Sequence, residues 1–360
     1  MSKITKTFEA ENMIKRVTGD DYQRYNSFVE KHKNGHFMQS LRWAKFKKTL
    51  PHIALICEDE NENICGAMLV FIQKSSRTNK TFLYCPRGPV CDREDTAVLR
   101  ELLAGAEQVA REVGAYKLTL DPDITGEDKN WISAFTSYGA RIGDNARDNA
   151  ILQPFAVYRI DVNKTDDELM ESYHSKARYS VRSSLKSGAI CRIGNREEIP
   201  CFCRLLEATA ERDGFIARDE KYFYDMYDAF GDSGFKLFLV EYEGVPIAGS
   251  VLLRHGERTW HMYAGSSEKY KETLPNFLMQ WEMMRWSRDN GAFLYDMRGI
   301  AGGADKLKPI EGLVRFKKRF GGELVTFIGR IDIIYNKITD TFVSAVSTAE
   351  TFARRLLGRG

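Results

Sequence analysis

The chain has 360 residues, 43% of them hydrophobic and 29% charged, with 53 basic against 50 acidic side chains for a net charge of +3. This is a globular composition, and no stretch approaches the ~18 uninterrupted apolar residues that a spanning helix needs. So near a balance of charge does not by itself imply nucleic acid, and seven cysteines without a CxxC pair argue against a disulfide framework or a zinc site, so no metal is expected.

The N-terminus, MSKITKTFEAENMIKRV, scatters charge where a signal peptide would need an apolar run, so the protein is expected in the cytoplasm, free or peripheral at the cytoplasmic membrane. Length alone predicts two domains. From residue 54 the chain reads ALICEDENENICGAMLVFI, two β-rich runs around an acidic turn. Val98, Leu102, Leu103, Ala106, Val109, Ala110 and Val113 then recur at helical spacing before a strand opened by Gly-Ala, GAYKLTLDPD. A basic run follows from Ser175 to Ile193, with Lys176, Arg178, Arg182, Lys186 and Arg192 and no acid. In a helix Arg178, Arg182 and Lys186 stand at i, i+4 and i+8, one stripe suited to a phosphate backbone or simply a solvated face.

Around residue 237 the hairpin returns as LFLVEYEGVPIAGSVLLRH, with Glu58 on Glu241, Ile64 on Ile247 and Gly66 on Gly249. Next comes YAGSSEKYKETLPNFLMQWEMM, residues 263–284: the end of a strand, a polar loop, and an apolar helix opened by Leu274, Pro275 and Asn276. The helix carries Phe277, Leu278, Trp281, Met284 and Arg285 and again leads to a Gly-Ala strand, GAFLYDMRGI. A second basic cluster, Arg-Phe-Lys-Lys-Arg, occupies residues 315–319. The order helix, hairpin, helix, strand, written twice over half the chain, predicts an α/β fold with mixed sheets arising from an internal duplication. Two unrelated α/β domains with similar hairpins are the alternative.

The loop before Pro275 raises a question of chemistry. In acyl-CoA N-acyltransferases, the GNAT fold, a strand, loop and helix of this kind hold the coenzyme pyrophosphate on a glycine-rich turn. Here no glycine follows Gly265 before the helix. Several segments in order, GHFMQSLRWAKFKK, YCPRGPV, LDPD, KARYSVRSSLKSG, ERDGF, MYAGSS with LPNFLMQWEM, YDMRGI and GLVRFKKRFGGELVTFIGRID, together resemble the FemABX peptidoglycan-bridge transferases. The charged helical hairpin that many members insert in the second domain is missing, so the chain is similar to the short FemX-like members.

The resemblance implies two tandem GNAT-like domains, 1–157 completed by 329–360 and 158–328. It implies a donor that is aminoacyl-tRNA instead of coenzyme A, and no cofactor. The acceptor is the stem peptide of UDP-MurNAc-pentapeptide or lipid II, and the amino acid is Gly, Ala or Ser. Lys47 and Arg218 match ligands of the acceptor diphosphate, and Tyr222 an acceptor-contacting tyrosine. Tyr116 and Tyr263 match tyrosines of a peptide channel, Asp121 a nearby carboxylate and candidate base, Phe316 a neighbour of the acceptor, and Lys317 the cation near the reacting carbonyl. The basic residues Lys176, Arg178, Arg182 and Lys186 would then meet tRNA.

The chain departs from the family pattern at Arg298, where a small residue is usual. The C-terminal FVSAVSTAETFARRLLGRG lies outside the resemblance and forms either a basic amphipathic helix at the inner membrane leaflet or a packing helix. Two other readings stay open: an acyl-CoA-dependent N-acyltransferase, and a non-catalytic tRNA-binding or membrane-associated protein.

Overall fold

The computed structural model describes residues 13–143, 153–302 and 305–356. The charged N-terminus read above, up to residue 12, and the final residues 357–360 of the C-terminal segment lie outside this range. Contacts divide the chain into two units, residues 1–144 with 328–360, and residues 145–327.

Unit 1 runs β1 (Met13–Arg16), α1 (Asp21–Lys31), α2 (Leu41–Phe46), β2 (His52–Glu58), β3 (Ile64–Lys74), β4 (Thr81–Arg87), β5 (Val90–Cys91), α3 (Thr96–Val113), β6 (Lys117–Pro122), α4 (Lys129–Ser137) and β7 (Arg141–Ile142). Unit 2 runs β8 (Ala156–Asp161), α5 (Asp166–Ser172), α6 (Ser175–Lys186), β9 (Ile190–Gly194), α7 (Ile199–Asp213), α8 (Glu220–Gly234), β10 (Phe235–Tyr242), β11 (Val245–His255), β12 (Arg258–Ser266), α9 (Pro275–Asp289), β13 (Leu294–Gly299), the small hairpin β14 (Ala301–Gly302) and β15 (Asp305–Pro309), α10 (Glu311–Lys318) and β16 (Glu323–Thr326). The chain then returns to unit 1 as β17 (Ile331–Ile334) and α11 (Lys337–Leu356).

Each unit is a mixed sheet with helices against it. The orders are β1-β2-β3-β4-β6-β17-β7, with β5 added to β3, and β16-β8-β13-β12-β11-β10-β9. In each, one parallel pair sits among antiparallel neighbours: β4 with β6, and β12 with β13. A parallel pair needs a crossover, which α3 and α9 supply. The apolar period predicted for α3 is its buried face, with Val98, Leu102, Leu103, Ala106, Val109 and Ala110 in the core beside Leu55, Met68, Val70 and Leu118. Gly114, left-handed at φ 66°, ends the helix and turns the chain into β6. In unit 2 Leu278, Trp281 and Met284 of α9 pack with Tyr173, Val181, Phe238 and Tyr295.

The duplicated hairpins share a defect. Register slips between Cys57 and Glu58 in one and between Val240 and Glu241 in the other. Each glutamate at the slip is held by a base from the neighbouring edge strand: Lys15 of β1 lies 2.5 Å from Glu58, and Arg192 of β9 lies 2.5 Å from Glu241. Arg192 of the basic run is therefore a structural partner. The glycines are not equivalent in the same way. Gly66 pairs with Cys57, one residue before its glutamate, and Gly249 with Leu239, two before. A slip of one residue exchanges faces: a Cβ on Gly66 would strike Val98 of α3, whereas one on Gly249 would meet Phe202 of α7.

Candidate active site

The two parallel pairs differ in length. In unit 1, β4 and β6 stay paired for five residues, from Leu83 opposite Leu118 to Arg87 opposite Pro122. In unit 2, β12 and β13 are paired only from Arg258 opposite Leu294 to Trp260 opposite Asp296. A bulge at Met262, where Leu252 faces His261 and Val251 faces Tyr263, turns β12 away, and β13 continues toward β8. The strands part into a V, and a cavity of about 1160 Å³ opens between them. It is walled by residues 261–266 of β12, 297–299 of β13, the first turns of α9 and one face of α10.

Lys317 stands in this wall, 5% exposed, although it belongs to a run of bases. Its ammonium donates to the carbonyls of Met297 at 2.5 Å, Arg298 at 3.2 Å and Gly299 at 2.6 Å. Three acceptors match the three N–H groups of the charged form. Burial nevertheless pulls its pKa from 10.5 down to about 7, with the Asp296 carboxylate opposing the shift and the Arg298 charge adding to it. Asp296, buried, is paired with Arg159 at 3.1 Å and also accepts from the Arg298 backbone N–H at 2.6 Å.

Across the cavity, the hydroxyls of Tyr222 and Tyr263 are 2.8 Å apart with their rings edge to face. Arg218 lies over the Tyr222 ring at 5.1 Å. Burial and the neighbouring Tyr263 phenol raise the Tyr222 pKa, while the guanidiniums of Arg218 and Arg298 counter part of the rise. Phe316, one residue from Lys317, lines the cavity while its ring meets those of Phe277 and Phe320. Unit 2 therefore brings together Arg218, Tyr222, Tyr263, Phe316 and Lys317.

Two residues that sequence reasoning missed join them. His261 lines the cavity with its ring 3.3 and 3.4 Å from Gln280 Nε2, and Gln280 Oε1 accepts from the buried Tyr295 hydroxyl at 2.8 Å. Burial, with the Lys317 charge adding, pulls the His261 pKa down to about 3, so the imidazole is neutral and acts as an acceptor. Both had a signal: His261 precedes Tyr263 by two on one strand, and Gln280 interrupts the apolar face of α9.

The three unit 1 candidates are not gathered in the same way. Asp121, 8% exposed at the end of β6, accepts from the Tyr84 hydroxyl at 2.8 Å and the Arg87 backbone N–H at 2.9 Å, which ties β4 to β6. Tyr116 precedes the other end of β6, 5% exposed, with its carbonyl accepting from Tyr335 and Asn336. Burial pushes its phenol up to about 12. Lys47 closes α2, its ammonium 4.9 Å from the Trp43 ring and 4.3 Å from that of Phe46.

On α6, Lys176, Arg182 and Lys186 are exposed, but Arg178 turns back and donates to the carbonyls of Tyr173 and Glu171 at the end of α5. Lys176 also lines a smaller cavity of about 620 Å³ with Arg315 and Lys318 of α10 and Arg319 just after it. Among the described residues no helix is long and apolar enough to cross a membrane.

Known proteins of the same build carry the comparison further. Lipid II:glycine glycyltransferases of Staphylococcus epidermidis and Staphylococcus aureus are 29% and 26% identical to this chain, over 94% of it and 97% of their own length. The alignment with the first spans 406 positions, more than the 360 residues present here, so that relative carries segments this chain lacks. A crystal structure of FemX superposes with a TM-score of 0.85 at 26% identity, covering 92% of this chain and 99% of that one. A tandem GNAT protein from the clavulanic acid pathway shares the fold alone, with a TM-score of 0.55 at 10% identity over 91% of this chain and 99% of its own. The FemAB family model matches residues 21–243 and 238–347, and the chain belongs to that family.

Proposed function

We propose that this protein is an aminoacyltransferase that moves glycine, alanine or serine from aminoacyl-tRNA to the stem-peptide amine of a peptidoglycan precursor, UDP-MurNAc-pentapeptide or lipid II. The observation that carries the reading is the split between β12 and β13, a cavity walled by Lys317, Arg218 and Tyr263, whose hydroxyl meets that of Tyr222, in a chain similar over nearly its whole length to lipid II:glycine glycyltransferases. In the proposed reaction the stem-peptide amine attacks the aminoacyl carbonyl, the tetrahedral oxyanion collapses, and the ribose hydroxyl leaves. An ester is already activated, so no covalent nucleophile is required, and the protein's part is to hold two anionic substrates and stabilise the oxyanion.

Lys317 in its charged form supplies a positive charge in the wall of the cavity. Its donors are already directed at carbonyls, so it acts on the oxyanion through its field and by fixing the turn at Met297–Gly299. Arg218 and Tyr222 hold the acceptor, and Phe316 packs beside it. The Tyr222–Tyr263 pair gives the departing amine proton a hydroxyl path. In unit 1, Lys47 is assigned to the diphosphate, Tyr116 to the peptide and Asp121 to the proton, as the resemblance implies. The amino acid and the choice between soluble and lipid-linked acceptor are decided by experiment: radiolabel transfer from tRNA charged with glycine, alanine or serine onto each acceptor, with Lys317→Ala in parallel. Transfer by the wild type and its loss by roughly 100- to 1000-fold in the variant are expected. No transfer from any charged tRNA to either acceptor would overturn the reading.

A further inference from the structure

Arg298 occupies backbone that glycine adopts more readily. Its φ is 63°, in the left-handed region, where an L side chain crowds its own carbonyl. The strain is held in place from several sides. The Arg298 N–H donates to Asp296 Oδ1, Asp296 is anchored by Arg159, and the Lys317 ammonium spans the carbonyls of residues 297, 298 and 299. A strained residue persists where the surroundings over-determine it, and such residues gather at binding sites.

The turn delivers a guanidinium to the cavity wall beside the point where β12 and β13 part. Arg218 and Arg298 both line this cavity with Tyr263; Arg218 lies over the Tyr222 ring, Arg298 Nη2 is 3.5 Å from Gln153 Oε1, and the charges of both arginines act on the Tyr222 phenol. Arg218 has no carboxylate within ion-pair distance among the described residues, whereas Arg159, Arg192, Arg196, Arg212, Arg285 and Arg288 of the same unit are all paired. Two planar cations in the wall of one cavity, beside a hydroxyl pair that keeps one O–H to donate, form a receptor for an oxyanion with several acceptor oxygens.

We infer that Arg298 is a specificity-determining ligand of this cavity, which takes, together with Arg218, a multi-oxygen anionic group of the acceptor. A diphosphate and a peptide carboxylate share that chemistry. The inference relies on the proposed reaction only for calling the ligand an acceptor; the anion site itself stands on the geometry.

The test is titration calorimetry of the full chain with two probes, inorganic pyrophosphate and the free stem pentapeptide, on the wild type, Arg298→Gly and Arg298→Lys. Glycine accepts the left-handed turn, so Arg298→Gly keeps the fold, which its thermal unfolding checks. The wild type is expected to bind at least one probe, with Kd roughly tenfold to hundredfold weaker in Arg298→Gly and partly recovered in Arg298→Lys. A loss confined to pyrophosphate identifies the diphosphate as the ligand, and one confined to the peptide identifies a carboxylate. Binding of both probes by Arg298→Gly within twofold of wild type, or binding of neither by the wild type, overturns the inference. Failure of the charged-tRNA transfer with probe binding intact would instead remove the proposed reaction and leave the anion site.

Discussion

Lys317 and Lys318 are adjacent residues of one type with different fates, since α10 turns the first into the cavity wall and leaves the second exposed. The resemblance singled out Lys317, but no pattern of residues around it announced its burial or its three carbonyl partners, because those come from the distant turn at Met297–Gly299. The pH dependence follows from that environment. The folded pKa, about 7, lies below the ordinary 10.5, so the lysine is fully charged only below about 7 and loses its charge as pH rises through that value. Between about 7 and 10.5 the unfolded chain binds a proton that the folded chain has released, so this group adds stability with rising pH while the clamp on the turn weakens. Single-turnover transfer should therefore decline as pH climbs through about 7. In Lys317→Arg, whatever its absolute rate, the decline should vanish because the guanidinium stays charged. A decline that persists unchanged in the variant would assign it to another group.

At the scale of elements, α6 shows what a periodic reading captures and what it omits. The segment is the helix on which the stripe depended, yet Arg178 leaves the stripe to close the end of α5, and Tyr179, 71% exposed, stands between Lys176 and Arg182 instead. Cations alternating with an exposed aromatic suit a single-stranded RNA end, with phosphates on the bases and a nucleobase on the ring. Lys176→Glu with Arg182→Glu should weaken charged-tRNA binding and flatten its salt dependence, by about 0.7 in log–log slope for each phosphate no longer neutralised. Arg178→Ala should leave that slope alone and lower stability by about 1 kcal/mol, read from denaturant midpoints. The reverse assignment would follow if Arg178→Ala flattened the slope and the double variant did not. A second element-level case is Gly265, the last glycine before α9. In the structure a Cβ there would lie 2.4 Å from the Leu206 backbone N and 2.5 Å from the Leu205 carbonyl carbon, so this glycine lets the backbone of α7 rest directly on β12. Gly265→Ala should cost about 1–3 kcal/mol by overpacking, and an equally stable variant would show that α7 is free to move.

For the molecule as a whole, the duplication was legible because its punctuation is local: an acidic turn, a helix, a Gly-Ala strand. Its functional asymmetry was not, since it depends on how far a parallel pair stays closed. The Gly-Ala strands align Asp121 with Arg298. In unit 1 the carboxylate, through Tyr84 and Arg87, ties the pair together; in unit 2 the arginine stands where the pair has come apart. One copy is sealed and the other open. The open copy is also where a GNAT protein would place coenzyme A, and the fold likeness makes that the sharpest rival. Its pyrophosphate would need free amides at the start of α9. Here Pro275 removes one donor at the first helical position, Leu274 enters at φ 57° with no side-chain cap, and the Thr273 carbonyl accepts from the fully buried Ser184 of α6 at 2.6 Å. The turn into the helix is thus tied to α6 and offers one donor fewer. Coenzyme A or acetyl-coenzyme A at millimolar concentration should therefore leave Tm unchanged, whereas a ligand present at a hundred times its Kd adds about 2.7 kcal/mol and would be seen. A rise in Tm with coenzyme A that is lost in a charge reversal near α9 would mean that α6 yields that helix end to the cofactor, and the acyl-CoA reading would displace the tRNA one.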